Sequence, residues 1–133
     1  MVIFSHMSVE TYNDEVIIDR KLTASNSIVP LVNAYTNRTG EFENRPDNCY
    51  IACIIGGHCH YDYMLKTDAG VPVISVTCDK FDTLSTRDDY DRTEGTIGEQ
   101  AFDLFVIDTT NKTIDTIRVG AGNNRHFSYD PTA

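Results

Sequence analysis

An apolar run at residues 51–55 ends at Gly56-Gly57 and is followed at once by His58-Cys59-His60. Its length and composition predict a buried strand, which we expect over residues 49–55. Side chains at i and i+2 of an extended segment point the same way, so His58 and His60 would share one face. Glycines permit backbone angles and close approaches that other residues resist. The run therefore predicts a strand that delivers two imidazoles to a site at its carboxyl end.

A second apolar run, at residues 2–4, leads to Ser5-His6, so another predicted strand exits at a histidine. Imidazole is a common ligand of zinc, iron and manganese. The sequence holds only four histidines, and three of them stand at the ends of apolar runs. This arrangement favours a metal site formed by His6, His58 and His60. The alternative is one exposed imidazole, one hydrogen-bonded core imidazole and a pairing by chance.

Two kinds of metal site fit three imidazoles. A single ion held by three histidines and a water is typical of catalytic zinc, whereas a metal pair also needs bridging oxygens, normally from carboxylates. Asp62, Asp68 and Asp79 lie nearby in the sequence. Nothing in their spacing marks a bridge, so we expect them to be solvated. The fourth histidine, His126, lies in a polar stretch and is expected on the surface.

One amphipathic helix is predicted. Ile28, Leu31, Val32 and Tyr35 follow the i, i+3, i+4, i+7 spacing, which indicates a helix over residues 27–38. Gly40 is the expected stop, because glycine is favoured just beyond a helix end. Loops or surface segments are predicted over residues 8–24, 40–48 and 79–99.

Further strands are predicted in the second half of the chain. Residues 71–77 form a β-rich run in which Pro72 marks a strand start or a sheet edge. Two β-rich arms, at 101–108 and 113–119, flank a polar turn, which predicts a β-hairpin. Strands, a helix and more strands indicate an α/β or α+β layered fold with a mixed sheet and a C-terminal hairpin. Sites in such folds collect at the carboxyl ends of strands.

Size and charge bound the functional classes. The chain of 133 residues is one domain's worth, and its net charge is −9 without a Lys/Arg cluster, which argues against coating nucleic acid. No apolar stretch is long enough to span a membrane. The four cysteines, at 49, 53, 59 and 78, lack the paired spacing of a structural zinc site. We expect reduced thiols, which favours a reducing compartment such as the cytoplasm.

Gly57-His58-Cys59-His60 at a strand end resembles the GHxH motif of the calcineurin-like metallophosphoesterases. The strand that ends in His6 is similar to the single-histidine motif that precedes GHxH in that family, and residues 102–122 resemble its closing hairpin. The resemblance implies a β-sandwich flanked by helices, with two Mn, Fe or Zn ions at one edge. His6 and His58 would bind one metal and His60 the other. The implied activity is hydrolysis of a phosphate ester.

The family's earlier motifs, Asp-x-His, Gly-Asp-x-x-Asp and Gly-Asn-His-Asp/Glu, do not occur in this sequence. They would carry the bridging aspartate, the remaining metal ligands and the histidine that assists the leaving group. The chain therefore resembles the C-terminal half of such an enzyme, a single domain over residues 1–133 that belongs to a larger one. We expect little or no activity from it alone, and no catalytic residue is assigned. Exposed sheet edge and apolar face predict a homodimer or a missing N-terminal partner chain.

Two other functions stay open. The chain could be a non-catalytic module of the same ancestry that binds itself or a partner through its open edge, with histidines that no longer serve chemistry. It could also be a complete small zinc hydrolase with three histidine ligands. No general base is evident for the second, so it ranks last.

Overall fold

A computed structural model of the chain describes residues 1–7, 28–57, 60, 62–77, 79 and 92–129. Over these residues no helix has both the length and the apolar character needed to cross a bilayer. The predicted loop at 8–24 and most of the predicted surface segment at 79–99 lie outside the described residues. The elements in chain order are β1 Val2–Met7, α1 Ile28–Asn37, a 3₁₀ turn Gly40–Phe42, β2 Cys53–Gly57, β3 Tyr63–Lys66, β4 Pro72–Ser75, a second 3₁₀ turn Ile97–Glu99, β5 Ala101–Asp108, β6 Thr113–Gly120 and β7 Arg125–Ser128.

The described strands form two sheets. Sheet A is mixed, with the strand order β1-β2-β4-β3, and sheet B is antiparallel, with the order β5-β6-β7. In sheet A, β1 and β4 both run parallel to β2, while β3 runs antiparallel to β4. The carboxyl ends of β1, β2 and β4 therefore meet at one edge, and β3 begins at that same edge. We call it the carboxyl edge of sheet A.

Two apolar clusters hold the layers together, one on each face of sheet A. On one face, Val32 of α1 packs in a cluster with Ile54 of β2. On the other face, Ile55 and Ile74 pack in a cluster with Ile114 of sheet B. Successive strand residues point to opposite faces, so neighbouring residues of β2 serve different clusters. The result is a helix, a mixed sheet and an antiparallel sheet in three layers, which confirms the predicted α+β arrangement with a mixed sheet.

The predicted helix is confirmed to within a residue at each end. Its stop is different from the predicted one, because Arg38 is the first left-handed residue after the helix, with φ of 56°, and Gly40, which is also left-handed, lies two residues further along. The Thr39 amide donates to the Ala34 carbonyl at 3.0 Å and the Arg38 amide to the Tyr35 carbonyl at 3.4 Å. These two bonds form a Schellman motif. Gly40 instead opens the 3₁₀ turn.

The strands agree with the sequence pattern to different degrees. The hairpin of β5 and β6 is confirmed. Pro72 is the first residue of β4, which lies between two other strands, so Pro72 marks a strand start and not a sheet edge. The strand expected over 49–55 is displaced, since β2 spans Cys53–Gly57. Its two glycines pair with β1 on one side, and Gly56 also pairs with Ser75 on the other. The sequence pattern does not predict the short strands β3 and β7.

We predict that Gly120→Ala destabilises the fold far more than Gly40→Ala. Both residues have positive φ, which costs a residue with a Cβ about 1–2 kcal/mol. At Gly120 an added Cβ would also lie 1.9 Å from the backbone oxygen of Gln100, whereas at Gly40 nothing lies within 4 Å. The clash adds about 1–3 kcal/mol of overpacking strain. Urea denaturation of both variants measures the difference, and equal losses would contradict the described β6 geometry.

Candidate functional site

His6 lies in an irregularity of β1 at the carboxyl edge of sheet A. Ser5 pairs with Gly56, but the next partner of β1 is Met7, which pairs with Gly57. His6 is therefore the extra residue of a β-bulge, and its side chain is exposed. Bulges are common next to functional sites because they re-aim a side chain. A Cβ built at Gly57 would lie 3.9 Å from the His6 carbonyl oxygen, an ordinary van der Waals contact, so the bulge does not require a glycine at this position.

His60 lies shortly beyond the end of β2, at the same edge, and is half-buried. Its φ of 59° places a non-glycine residue in the left-handed region, which is uncommon. Its carbonyl accepts a hydrogen bond from the Thr77 hydroxyl at 3.2 Å. Thr77 follows β4 and is buried. The backbone at His60 is thus tied to the end of β4.

Asp62 is the second contact between this segment and the end of β4. One of its oxygens, Oδ1, accepts a hydrogen bond from the Thr77 amide at 3.0 Å. Its other oxygen, Oδ2, accepts from Nη2 of Arg118 at 2.5 Å. The Asp62 side chain is only 6% exposed. The prediction that Asp62 is solvated is therefore wrong, because an arginine of sheet B neutralises it in the interior.

Asp62 belongs to a buried ion-pair network that spans both sheets. Arg118 of β6 donates through Nε to Oδ1 of Asp103 on β5 at 2.7 Å, as well as to Asp62. Nη2 of Arg125 donates to Oδ2 of Asp103 at 2.5 Å and lies 3.4 Å from Oδ1 of Asp62. The side chains of Arg118 and Asp103 are 2% and 1% exposed, and that of Arg125 is 19% exposed. Two cations and two anions thus neutralise each other between the layers.

Further donors of the two arginines bind backbone carbonyls. Nη1 of Arg118 donates to the Ala121 carbonyl at 2.9 Å, and Nη1 of Arg125 donates to the Ser75 carbonyl at 3.2 Å. Burial disfavours the charged guanidinium of Arg118, but the hydrogen bonds and charges of Asp103 and Asp62 outweigh it and raise the pKa of Arg118 above its ordinary value. Arg118 is therefore fully charged at neutral pH.

The structure describes two of the three predicted metal ligands. His6 and His60 lie at the ends of adjacent parallel strands, whereas His58 lies outside the described residues. Within the residues that are described, no group of three or more His, Cys, Asp or Glu side chains is arranged to hold a metal ion. The three-histidine site therefore stays a prediction.

The other candidate residues have simpler surroundings. Asp68 and Asp79 are exposed, as predicted, and Asp79 accepts a hydrogen bond from the Ala101 amide at 3.2 Å. His126 is on the surface, as predicted, where Nδ1 lies 2.5 Å from Oδ1 of Asp115. These three side chains therefore lie in the surroundings that the sequence pattern predicts for them.

Cys53 is a buried free thiol at the start of β2. Burial raises its pKa to about 11. The thiol is therefore protonated at neutral pH and unsuited to act as a nucleophile, because the thiolate is the reactive form.

The ion-pair network is not among the features predicted from the sequence, although one signal of it is present there. Asp103 alternates with Phe105 and Ile107, so it lies on the face of β5 that packs on the core. Arg118 likewise shares a face of β6 with Ile114. A charged residue at a core position of each arm of one hairpin indicates a pair that is neutralised inside.

Comparisons of the chain with protein-family models, with curated proteins and with solved structures found no match. Function is therefore inferred from the histidine motifs, the carboxyl edge of sheet A and the ion-pair network.

We predict that Arg118→Met lowers the free energy of unfolding by about 3–5 kcal/mol, because it removes one partner of a buried ion pair and leaves carboxylates without full compensation. Arg38→Met is the matched control. Arg38 forms a surface ion pair with Asp47, whose side chain is exposed, and such pairs contribute roughly 0–1 kcal/mol. Chemical denaturation of the two variants measures both effects. Similar losses in both would show that the network contributes no more than a surface pair.

Proposed function

We propose that the chain supplies the imidazole-bearing half of a metal centre that hydrolyses phosphate esters. His6, His58 and His60 would be its ligands, and a divalent Mn, Fe or Zn ion or a pair of such ions its cofactor. The proposal rests on the resemblance of the His6 strand and of Gly57-His58-Cys59-His60 to the metallophosphoesterase motifs. No further catalytic residue is assigned on this chain.

The observation that supports the proposal is that His6 and His60 both lie at the carboxyl edge of sheet A. The strands that lead to them are parallel neighbours, and both residues lie where the backbone departs from regular structure, His6 in a bulge and His60 at positive φ. Local strain persists only where the surroundings hold it, and it concentrates at functional sites. Two such departures at adjacent strand ends are typical of a site that aims side chains at a common ligand.

The donor set suits metals of this kind but is incomplete for a metal pair. Imidazoles bind Zn, Fe and Mn, and bound metal supplies positive charge and an activated water for attack on a phosphate. A pair of ions also needs a bridging oxygen. Asp62, the carboxylate nearest to His60 in the sequence, is already bound to Arg118 and to the Thr77 amide, so it is engaged elsewhere.

Among the described residues no group of three or more possible ligands is arranged to hold a metal, so the oxygen ligands would come from a segment outside them. One apolar side chain marks where such a segment could pack. Phe4 is in register with Ile55 and so shares the face of sheet A that sheet B covers, yet it is 75% exposed. The described part of sheet B thus leaves this end of β1 uncovered. An N-terminal half that completed the sandwich would cover Phe4 and bring ligands to the carboxyl edge.

We predict that chelator-treated protein takes up Zn²⁺ or Mn²⁺ and that His60→Gln and His58→Gln each weaken uptake by at least about tenfold, because each removes a ligand. His126→Gln is the control, since His126 is on the other sheet and pairs with Asp115. Isothermal titration calorimetry measures the affinities. We expect little hydrolysis of bis-p-nitrophenyl phosphate by this chain alone. Absence of metal uptake, or an equal loss in His126→Gln, would refute the proposal.

A second candidate function is self-association through the outer face of sheet B. Antiparallel sheets with one solvated face normally carry polar side chains there. On this face Phe102, Leu104 and Val106 of β5 and Ile117 of β6 are between 43% and 56% exposed. Cross-strand pairing places Leu104 beside Ile117, so the patch is continuous. Each chain carries a net charge of −9, which opposes association, but these four side chains are uncharged and add no repulsion of their own where they meet.

We predict that the protein forms a concentration-dependent homodimer and that Leu104→Lys makes it monomeric, because the substitution puts a charge in the middle of the apolar patch. Ile97→Lys is the control, since Ile97 is also apolar and strongly exposed but lies in the 3₁₀ turn before β5. Light scattering coupled to size-exclusion chromatography measures the masses with metal and after chelation. A wild-type monomer at every concentration tested would exclude this candidate.

A further inference from the structure

We propose that Asp62 is a positioning residue for His60, and that the ion-pair network fixes the backbone that carries this imidazole. The metal-binding consequence of this inference rests on the proposed function. The structural consequence, a fixed His60, does not depend on any metal.

The contacts at the end of β4 form a clamp on the residues around His60. Thr77 provides both contacts, since its hydroxyl donates to the His60 carbonyl at 3.2 Å and its amide donates to Asp62 Oδ1 at 3.0 Å. The two hydrogen bonds hold the backbone of His60 and the side chain of Asp62, which lie one residue before and one residue after position 61. Because Thr77 is buried next to the buried strand β4, the clamp is attached to a rigid part of sheet A.

Sheet B closes the clamp from the other side. Oδ2 of Asp62 accepts a hydrogen bond from Nη2 of Arg118 at 2.5 Å, and Arg118 is itself held by Asp103 through two hydrogen bonds, of 2.7 and 3.1 Å. Arg125 reaches Asp62, Asp103 and the Ser75 carbonyl of β4. The guanidinium groups are thus oriented by partners other than Asp62, and each is planar and rigid.

The energetics favour a positioning role over a stabilising one. A buried ion pair contributes little net stability compared with well-packed apolar side chains, because both charges lose their hydration. A non-glycine residue at positive φ costs about 1–3 kcal/mol and persists only where its surroundings over-determine it. His60 has a φ of 59°, and its own carbonyl and the side chain of Asp62 are both held by Thr77. The network therefore maintains a conformation at His60 that the segment would not adopt by itself.

Asp62→Asn tests this directly in the metal-free protein. The substitution keeps the size of the side chain and removes the charge that binds the arginines. We expect the imidazole NMR signals of His60 to shift and broaden, while those of His126 stay unchanged. Zinc affinity should fall by about 10–100-fold, the usual effect of losing a group that orients a ligand.

Asp103→Asn is the matched control. It weakens the partner of Arg118 and Arg125 that lies on β5, but it leaves both contacts of Thr77 intact. We expect it to lower stability to a similar extent but to shift the His60 signals much less than Asp62→Asn does, because the direct hydrogen bonds to Asp62 and His60 remain. If both variants perturb His60 equally, the network is merely structural and the inference is overturned.

Thr77→Val provides an independent test that leaves the ion pairs in place. If Asp62→Asn does not fold, the result for Thr77→Val decides whether the inference holds. It removes only the hydroxyl that donates to the His60 carbonyl. A shift of the His60 signals supports the clamp, and unchanged signals overturn it. Different results refute the metal-site proposal and the positioning role of Asp62. Wild-type protein that takes up no zinc refutes the metal site, whereas an unperturbed His60 in these variants refutes the positioning role.

Discussion

Charge neutralisation between the two sheets orients the layers of this protein relative to each other. Four charged side chains, Asp62, Asp103, Arg118 and Arg125, meet between layers that an apolar cluster also joins. Burial of the apolar cluster stabilises the contact between the sheets. Because this effect depends on the buried area, it does not fix how one sheet is oriented against the other. The hydrogen bonds of the arginines are directional. They specify how the start of β3 lies against the open ends of the hairpin.

The carboxyl edge of sheet A combines this rigidity with irregular backbone. β1 bulges at His6, and the segment after β2 turns through a left-handed residue at His60. In a regular strand the pleat would fix the direction of the side chain at position 6, and the extra residue of the bulge changes it. At this edge, contacts between residues distant in the sequence override the local conformational preference of the backbone. Such conflicts are expected at functional positions rather than in the scaffold.

Sequence reasoning succeeded where structure is local. The helix at 28–37 and the hairpin of β5 and β6 follow from periodicity within a single segment, and both agree with the structure to within about a residue. The strands β3 and β7 were not predicted because neither contains the β-branched residues that mark the equally short β4. Asp62 was misjudged because its surroundings depend on Arg118, which is 56 positions away in the chain. Neither the bulge at His6 nor the φ of His60 follows from a periodic pattern, since the bulge is a shift of register against β2 and the His60 carbonyl is bound to Thr77, 17 positions away.

The two sheets differ in the length of chain that each must close. In sheet B, β5 and β6 are joined by a tight turn, and Asp108 pairs with Thr113. In sheet A, Val2 pairs with Cys53 across a parallel crossover. The entropy lost on closing a loop rises with its length, by about 0.6 kcal/mol for each doubling. Among the described strand pairs, the pairing of β1 with β2 therefore loses the most loop-closure entropy. A neighbouring chain that held β1 in place before this pairing formed would lower that entropy loss.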